Sequence, residues 1–234
     1  FIRFLQWTED KAYKDADVVI SSLPNAVEHM AERGMNRNKF HWISNGIDIE
    51  ELSNSEPLPK KISDSFPKDK FIFGYLGTLG DANALEYFIE SAKIKKNDDS
   101  IAWVLVGDGK EKKNLQKKVK DLELSNVFFI ESVSKNQAQS VLRLFDICFI
   151  AWRNKPIYRF GISAQKIPEY MYSKKPIIHS FSGHSDAIHK SNSGIIVPAE
   201  DPFEIVRALD ILKNMKKEER DKLNSKIPIV VKIS

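Results

Sequence analysis

The chain has 234 residues, 42% of them hydrophobic and 29% charged, the balance of a globular protein with a sizeable core. No apolar run, Ile147 to Trp152 included, approaches the ~18 residues of a membrane span, and "FIRFLQWTED" turns charged too early for a signal peptide. Lys and Arg exceed Asp and Glu by four, 36 against 32, and are scattered, unlike the basic face of a nucleic-acid binder; the lone Cys148 excludes a disulfide scaffold or cysteine-based metal centre and fits a reducing cytoplasm.

In chain order, an amphipathic helix is predicted from Ile2 to Asp15, then a short strand "DVVIS". A helix from Asn25 to Arg33 ends at Gly34, a residue suited to a left-handed cap. "KFHWIS" reads as a strand closed by the turn dipeptide Asn45-Gly46. Residues Ser53 to Lys70 hold three prolines, four serines and no strong periodicity, the pattern of a linker or long surface loop. A second series follows: strand "FIFGYLG", helix Ala82–Lys93, strand "IAWVLVG", a lysine-rich helix around "KEKKNLQKKVK", strand "NVFFIE", helix Asn136–Phe145 and strand "DICFIAW". It continues with a helix carrying Glu169, strand "KPIIHSF", a short helix near His184 to Lys190, strand "GIIVP" and a helix from Pro202 to Lys213. Strands that are continuous apolar runs and alternate with helices predict an α/β fold: a doubly wound parallel sheet covered on both faces. In the lysine-rich helix Leu115, Val119 and Leu122 recur at helical spacing, so its lysines read as a solvated face, with attraction to an anionic membrane surface as the second reading.

Ligands of such sheets bind beyond the carboxyl ends of the strands. There the sequence sets "GTLGDAN", "GDGKE", "ESVSK" and the densest polar stretch, "YRFGISAQKIPEYM". Gly77 and Gly80 would let backbone N–H groups approach an anion before a helix. The spacing is neither that of a Walker loop nor of a dinucleotide fingerprint. Asp108-Gly109 reads first as a chain bend. Arg159 and Lys166 bracket Gly161 and Ser163; two such cations suit a diphosphate, or are exposed loop charges. Glu169 stands early in its helix, where a carboxylate can accept two hydroxyls of a ribose diol or simply meet the helix dipole. Pro168 is compatible with a helix starting near Ile167 and disruptive if it starts at Ala164. Together these groups suggest a nucleoside diphosphate.

Those stretches, with "ADVVIS…WISNGID", "WVLVGDGKEKKNL" and "SGIIVPAEDP", run in the order of a known family. The chain resembles the C-terminal, donor-binding half of retaining GT-B glycosyltransferases of family 4, in the branch that builds bacterial surface polysaccharides. The resemblance covers Ala16 to about Leu212, and "YRFGIS..K..EYM..KKPII" is its most specific part. It implies a Rossmann-like GT-B donor domain preceded by the tail end of a second Rossmann-like domain: residues 1–46 ending an acceptor-side domain, 47–69 a linker, 70–215 the donor domain and 216–234 a short tail. By resemblance Glu169 binds the ribose of a sugar nucleotide, the helix from Ser163 and the "GTLG" turn hold the diphosphate, and the segment around Val133 borders the base. The nucleotide-sugar candidates are Gly77, Thr78, Gly80, Asn83, Gly107, Val133, Gly161, Ile162, Ser163 and Glu169; the catalytic candidates are Arg159, Lys166 and Glu169. Departures from the family pattern are Gly161 in place of a second glutamate, Thr78 and Ala84 in place of an Arg and a Lys, and Ala164-Gln165 in place of Pro-Asn. The diphosphate charges are therefore assigned to Arg159 and Lys166.

The function implied is transfer of a sugar, UDP-linked by resemblance, to a lipid- or glycan-linked acceptor held by the other domain. No cofactor, metal or nucleic acid is expected, and the place is the cytoplasm or the inner face of the plasma membrane. Because the chain begins at Phe1 and lacks an acceptor half, a fragment inactive by itself is expected. The alternative is a non-catalytic sugar-nucleotide-binding module or split subunit.

Overall fold

The computed structural model describes residues 1–184, 188 and 191–223. The chain forms two compact units, Phe1–Gly46 with Lys155–Gln165 and Gly183–Asp186, and Ile47–Asn154 with Lys166–Ser182 and Ala187–Ser234.

The first unit contains helix α1 (Ile2–Asp15), strand β1 (Val19–Ser21), helix α2 (Ala26–Glu32) and strand β2 (Phe40–Trp42), with the two strands paired in parallel. Gly34 follows α2 as expected, at φ 99°. Ion pairs join α1 to α2, the Arg33 guanidinium gripping Asp10 at 2.6 Å.

The second unit is built on six parallel strands in the order β5-β4-β3-β6-β7-β8. They are β3 (Phe71–Leu76), β4 (Ile101–Val106), β5 (Val127–Ile130), β6 (Ile147–Ala151), β7 (Ile177–Ser180) and β8 (Gly194–Val197). Every residue of β4, β6 and β7 is buried, the reason these strands lack a polar alternation. On one side Phe73, Phe88, Trp103 and Phe149 form an aromatic core with centroids 4.9–5.4 Å apart; each buried ring contributes about 1.5–3 kcal/mol. Helices α5 (Leu85–Ile94) and α9 (Pro202–Asn214) bury their apolar stripes there. Asp201 caps α9 by accepting from the Phe203 and Glu204 N–H groups at 3.0 and 3.1 Å. The chain runs outward from β3 to β4 to β5, then returns to lay β6 on the other side of β3. That reversal opens a crevice beyond the carboxyl ends of β3 and β6.

Several elements differ from expectation. The Ser53–Lys70 stretch is not a bare linker: α3 (Ile49–Ser53) precedes it and α4 (Lys60–Ser63) interrupts it. Asp48 caps α3, and Leu52, Ile62 and Phe66 are buried anchors too sparse to give a periodicity. The helix expected from Ala82 is delayed; a 3₁₀ turn, Asp81–Asn83, and the left-handed Ala84 at φ 47° come first. The helix expected from Asn136 to Phe145 is a 3₁₀ turn, Lys135–Gln137, fixed by a Ser134–Gln137 capping box, followed by α7 (Ala138–Leu142). The lysine-rich helix α6 (Lys112–Asp121) turns Leu115 to the core and pairs Lys117 and Lys118 with Asp121 and Glu90, favouring the solvated-face reading. The helix expected near His184 to Lys190 falls mostly outside the described residues; the expected tail 216–234 is described to 223 and holds α10 (Lys217–Lys222). Among the described residues no helix is long and apolar enough to cross a membrane.

Gly74, in central strand β3, leaves no room for a side chain, since a Cβ there would lie 2.4 Å from the buried Phe145 ring. Gly74→Ala should destabilise the second unit by about 1–3 kcal/mol through overpacking. Chemical denaturation checks this; an unchanged midpoint would show that the ring can yield.

Candidate functional site

At the carboxyl end of β3 the chain turns sharply through Gly77–Gly80. The loop after β4 packs directly on this turn: Gly77 N–H donates to Val106 O at 3.0 Å, Leu79 N–H to Asp108 O at 2.8 Å, and Glu111 N–H to Leu79 O at 2.9 Å. A Cβ on Gly107 would lie 2.0 Å from the Gly77 carbonyl oxygen. Gly107 is therefore required for loop-on-loop packing, whatever else it does. The expectation that the Gly77 and Gly80 N–H groups face a ligand needs correction. Gly77 N–H donates to Val106 O at the end of β4 and Gly80 N–H to Thr78 O within the turn, while the Thr78 N–H has no partner among the described residues. What Gly77 offers is its backbone conformation, φ 145°, which L side chains rarely adopt, and freedom from a Cβ that would crowd the Tyr75 hydroxyl at 3.2 Å.

Helix α8 (Lys166–Tyr172) begins at Lys166, later than the Ser163 or Ala164 start allowed by the sequence. Pro168 then sits in the first turn, where its missing N–H costs nothing. Tyr170 ties the helix to β3 by accepting from Leu76 N–H and donating to Leu76 O, both at 2.7 Å. Lys166 is thereby brought over the turn. Its Nζ donates to Asn83 Oδ1 at 2.8 Å and to the Tyr75 hydroxyl at 3.0 Å. The Asn83 amide and the Tyr75 hydroxyl both donate in turn to Thr78 O, at 2.9 and 2.8 Å. The amine lies 4.8 Å from the Tyr75 ring centroid and 5.3 Å from that of Trp152, near enough for cation–π attraction. Burial pushes Lys166 down to about 8, with nearby Glu169 partly opposing. An ammonium has three donors, and two are used here.

One turn on, Glu169 is half-buried, and its carboxylate has no hydrogen-bond partner among the described residues. Only its backbone carbonyl is held, by the Gln139 amide at 2.9 Å. Burial raises the carboxyl above its ordinary value; Lys135 and Lys166 pull it down and Glu51 pushes it up. Lys135 itself pairs with Glu51 at 2.7 Å. Val133 is half-buried in the segment after β5, two residues before Lys135.

The remaining candidates belong to the first unit. There the Ser163 carbonyl accepts from the Asn45 amide at 3.0 Å, and the Phe160 carbonyl accepts from Asn25 N–H at 3.1 Å. Gly161, at φ 95°, passes so close to Pro24 that a Cβ would meet its ring at 2.7 Å. Ile162 is half-buried. The Ser163 hydroxyl is buried without a partner among the described residues, and such an orphan ordinarily finds water or a ligand. Arg159 is exposed, its guanidinium 4.3 Å from the centroid of the Phe160 ring.

Thus the second unit assembles Gly77, Thr78, Gly80, Asn83, Lys166 and Glu169 at one sheet edge. Asn83, 8% exposed, is a holder of the Lys166 amine and the Thr78 carbonyl. The sequence reading passed over Tyr75, Trp152, Arg153, Tyr170 and Lys135. Tyr75 and Trp152 lay inside or beside apolar runs, and nothing in a strand pattern tells which aromatic turns a hydroxyl or ring toward a lysine of another element.

Three comparisons bear on this geometry. Residues 59–228 match the family model described as "Glycosyl transferases group 1". An uncharacterized glycosyltransferase of Methanocaldococcus jannaschii is 27% identical over 128 residues, 53% of this chain and 31% of that protein. Among solved structures, Anabaena HepE in complex with UDP superposes with a TM-score of 0.76 at 18% identity, over 97% of this chain and 62% of that one. The C-terminal domain of a Francisella tularensis glycosyl transferase group 1 family protein, LpcC, does so with 0.58 at 22% identity, over 77% of this chain and 94% of that one. The structural likenesses show a GT-B, Rossmann-like fold. The chain spans less than two thirds of the length of the Methanocaldococcus relative and of the Anabaena chain. Since the family model covers well over half of the sequence, the chain belongs to the glycosyl transferases group 1 family.

Proposed function

We propose that this chain is the donor-binding part of a retaining, family 4 glycosyltransferase that moves a sugar from a UDP-linked donor to a lipid- or glycan-linked acceptor in surface polysaccharide synthesis. The observation that carries the reading is the Lys166 amine, held over the Gly77–Gly80 turn and one helical turn from a carboxylate, with one amine donor and the carboxylate lacking a hydrogen-bond partner among the described residues. A diphosphate would take the third N–H of Lys166 and the Thr78 N–H; a ribose diol would donate to Glu169. Anabaena HepE, a solved structure of the same fold, is in complex with UDP or UDP-glucose, which supports this choice of donor. Residues 1–46 are proposed as the end of the acceptor-side domain. For Arg159, Gly161, Ile162 and Ser163 as diphosphate ligands, and for Val133 beside the base, the proposal rests on the sequence pattern.

The chemistry asked of the protein is electrostatic. As the sugar–phosphate bond breaks, charge grows on the leaving diphosphate, and a preorganised ammonium stabilises it more in the transition state than in the ground state. With a value of about 8, Lys166 is largely charged at neutral pH, while its partial enclosure strengthens its field.

Calorimetric titration with UDP and with pyrophosphate tests the assignment. Glu169→Gln should weaken UDP by about 10- to 100-fold, the loss of one charge-assisted contact worth about 1.5–3 kcal/mol, and leave pyrophosphate unchanged. Equal weakening of both would remove Glu169 from the ribose.

A pH series separates Lys166 from ordinary surface charges. A bound anion favours the ammonium, so its value is higher in the complex than in the free protein. UDP affinity should therefore be full below about 8 and decline as pH rises through it. Lys166→Met should weaken UDP and abolish the decline; a decline that persists in the variant would assign it to another group.

A further inference from the structure

Arg153 directly follows Trp152 at the carboxyl end of β6, and its guanidinium lies among three carboxylates of the second unit. It meets Asp81 at 2.6 Å, bonds Glu86, and stands 3.8 Å from Glu200. Its hold on the Asp81–Asn83 turn is more than ionic. Arg153 Nε donates to the Asp81 carbonyl at 3.0 Å, and the Arg153 backbone N–H donates to the Ala82 carbonyl at 3.1 Å. The next N–H, that of Asn154, donates to Glu200 at 3.2 Å. Two consecutive carbonyls of a single 3₁₀ turn are thus fixed by one residue. The next residue, Asn83, holds the Lys166 amine with its oxygen and Thr78 O with its nitrogen. Immediately beyond lies Ala84 at φ 47°, a conformation L-residues seldom adopt and that surrounding contacts must enforce.

We propose that Arg153 is a positioning residue: it presses the Asp81–Asn83 turn into place and, through Asn83, sets the Lys166 amine over the Gly77–Gly80 turn, tuning anion affinity without touching the anion. The inference rests on the donor-site reading above only for the identity of the anion. Three carboxylates left without Arg153 would repel one another, and the turn would relax at Ala84. The groups facing the Lys166 amine are Tyr75 on β3, Trp152 after β6, Asn83 on the turn and Glu169 on α8. Of these, Asn83 ends the turn that Arg153 holds and Trp152 is the residue before it, so the Asn83→Ala background below decides which of the two carries the effect.

The experiment measures two quantities in the same variants: UDP affinity by calorimetry, and the Lys166 titration midpoint by NMR of isotopically methylated lysines assigned with Lys166→Arg. Arg153→Met should weaken UDP by about 3- to 30-fold, inside the range of couplings between contacting residues. It should also move the midpoint upward from about 8 toward the ordinary lysine value of 10.5, because a loosened amine is better solvated. Arg153→Lys should not restore either quantity, since an ammonium cannot reproduce the planar fork. In an Asn83→Ala background, Arg153→Met should add no further loss of UDP affinity. An unmoved midpoint in folded Arg153→Met, or losses that add in the double variant, overturns the proposal. Should Arg153→Met not fold, Asp81→Asn is read instead, with the same directions expected and an unmoved midpoint again decisive. If the unaltered protein binds no UDP, the donor-site reading fails while the midpoint still judges Arg153.

Discussion

The partly enclosed ammonium of Lys166 is the constraint around which the carboxyl edge of the second unit is arranged. Removing a charge from water is costly unless oriented dipoles replace the lost hydration. Here the replacement is an amide oxygen, a phenol oxygen and two aromatic faces. It is incomplete, as the amine's depressed value shows. A cation held in this way is poised for an anion, which would complete its shell and restore its charge preference. The neighbouring Glu169 carries the opposite imbalance: a carboxylate disfavoured by burial, softened by two nearby lysines. Two groups displaced from their ordinary values and left incompletely solvated at a topological switch point are a physical reason to place binding there.

Rigidity of the surroundings makes such an arrangement sustainable. The turn after β3 is clamped by the loop after β4, whose Gly107 passes against the Gly77 carbonyl with no space for a side chain. Tyr170 ties α8 to the last residue of β3 through both backbone groups, so the helix start cannot shift without breaking a buried pair. Asn83 and Tyr75 converge on one carbonyl, that of Thr78, and hold the lysine from two sides. Polar side chains that could have been ligands are instead the frame that orients the amine.

Much of this was legible in the sequence. Apolar strands alternating with helices specify a parallel sheet, because only a strand covered on both faces reads as a continuous run. Gly77, Lys166 and Glu169 stood out because glycine turns, cations and an early helical acid cluster where strands end. Helix starts were less legible. Ala84 adopts a left-handed conformation that its residue type does not announce, and α8 starts at Lys166, with Ile167, Tyr170 and Met171 buried and Tyr170 bonded to Leu76 of β3. Nothing local singles out Arg153, since its three acidic neighbours come from positions 81, 86 and 200.

By itself, then, the sequence determined the α/β class, the strand order of appearance along the chain, the family and the residue types gathered at the strand ends. These follow from local periodicity, turn chemistry and motif spacing, all of which are written in consecutive residues. Only the tertiary structure decided which N–H groups of the Gly77–Gly80 turn are already used and which is left. It also decided that Asn83 holds the lysine, and that Tyr75 and Trp152 flank the amine. The reason is that burial and hydrogen-bond partnership join residues of different elements, up to 91 positions apart, and no local pattern records which side chain of a strand or loop will face which other once the sheet has closed.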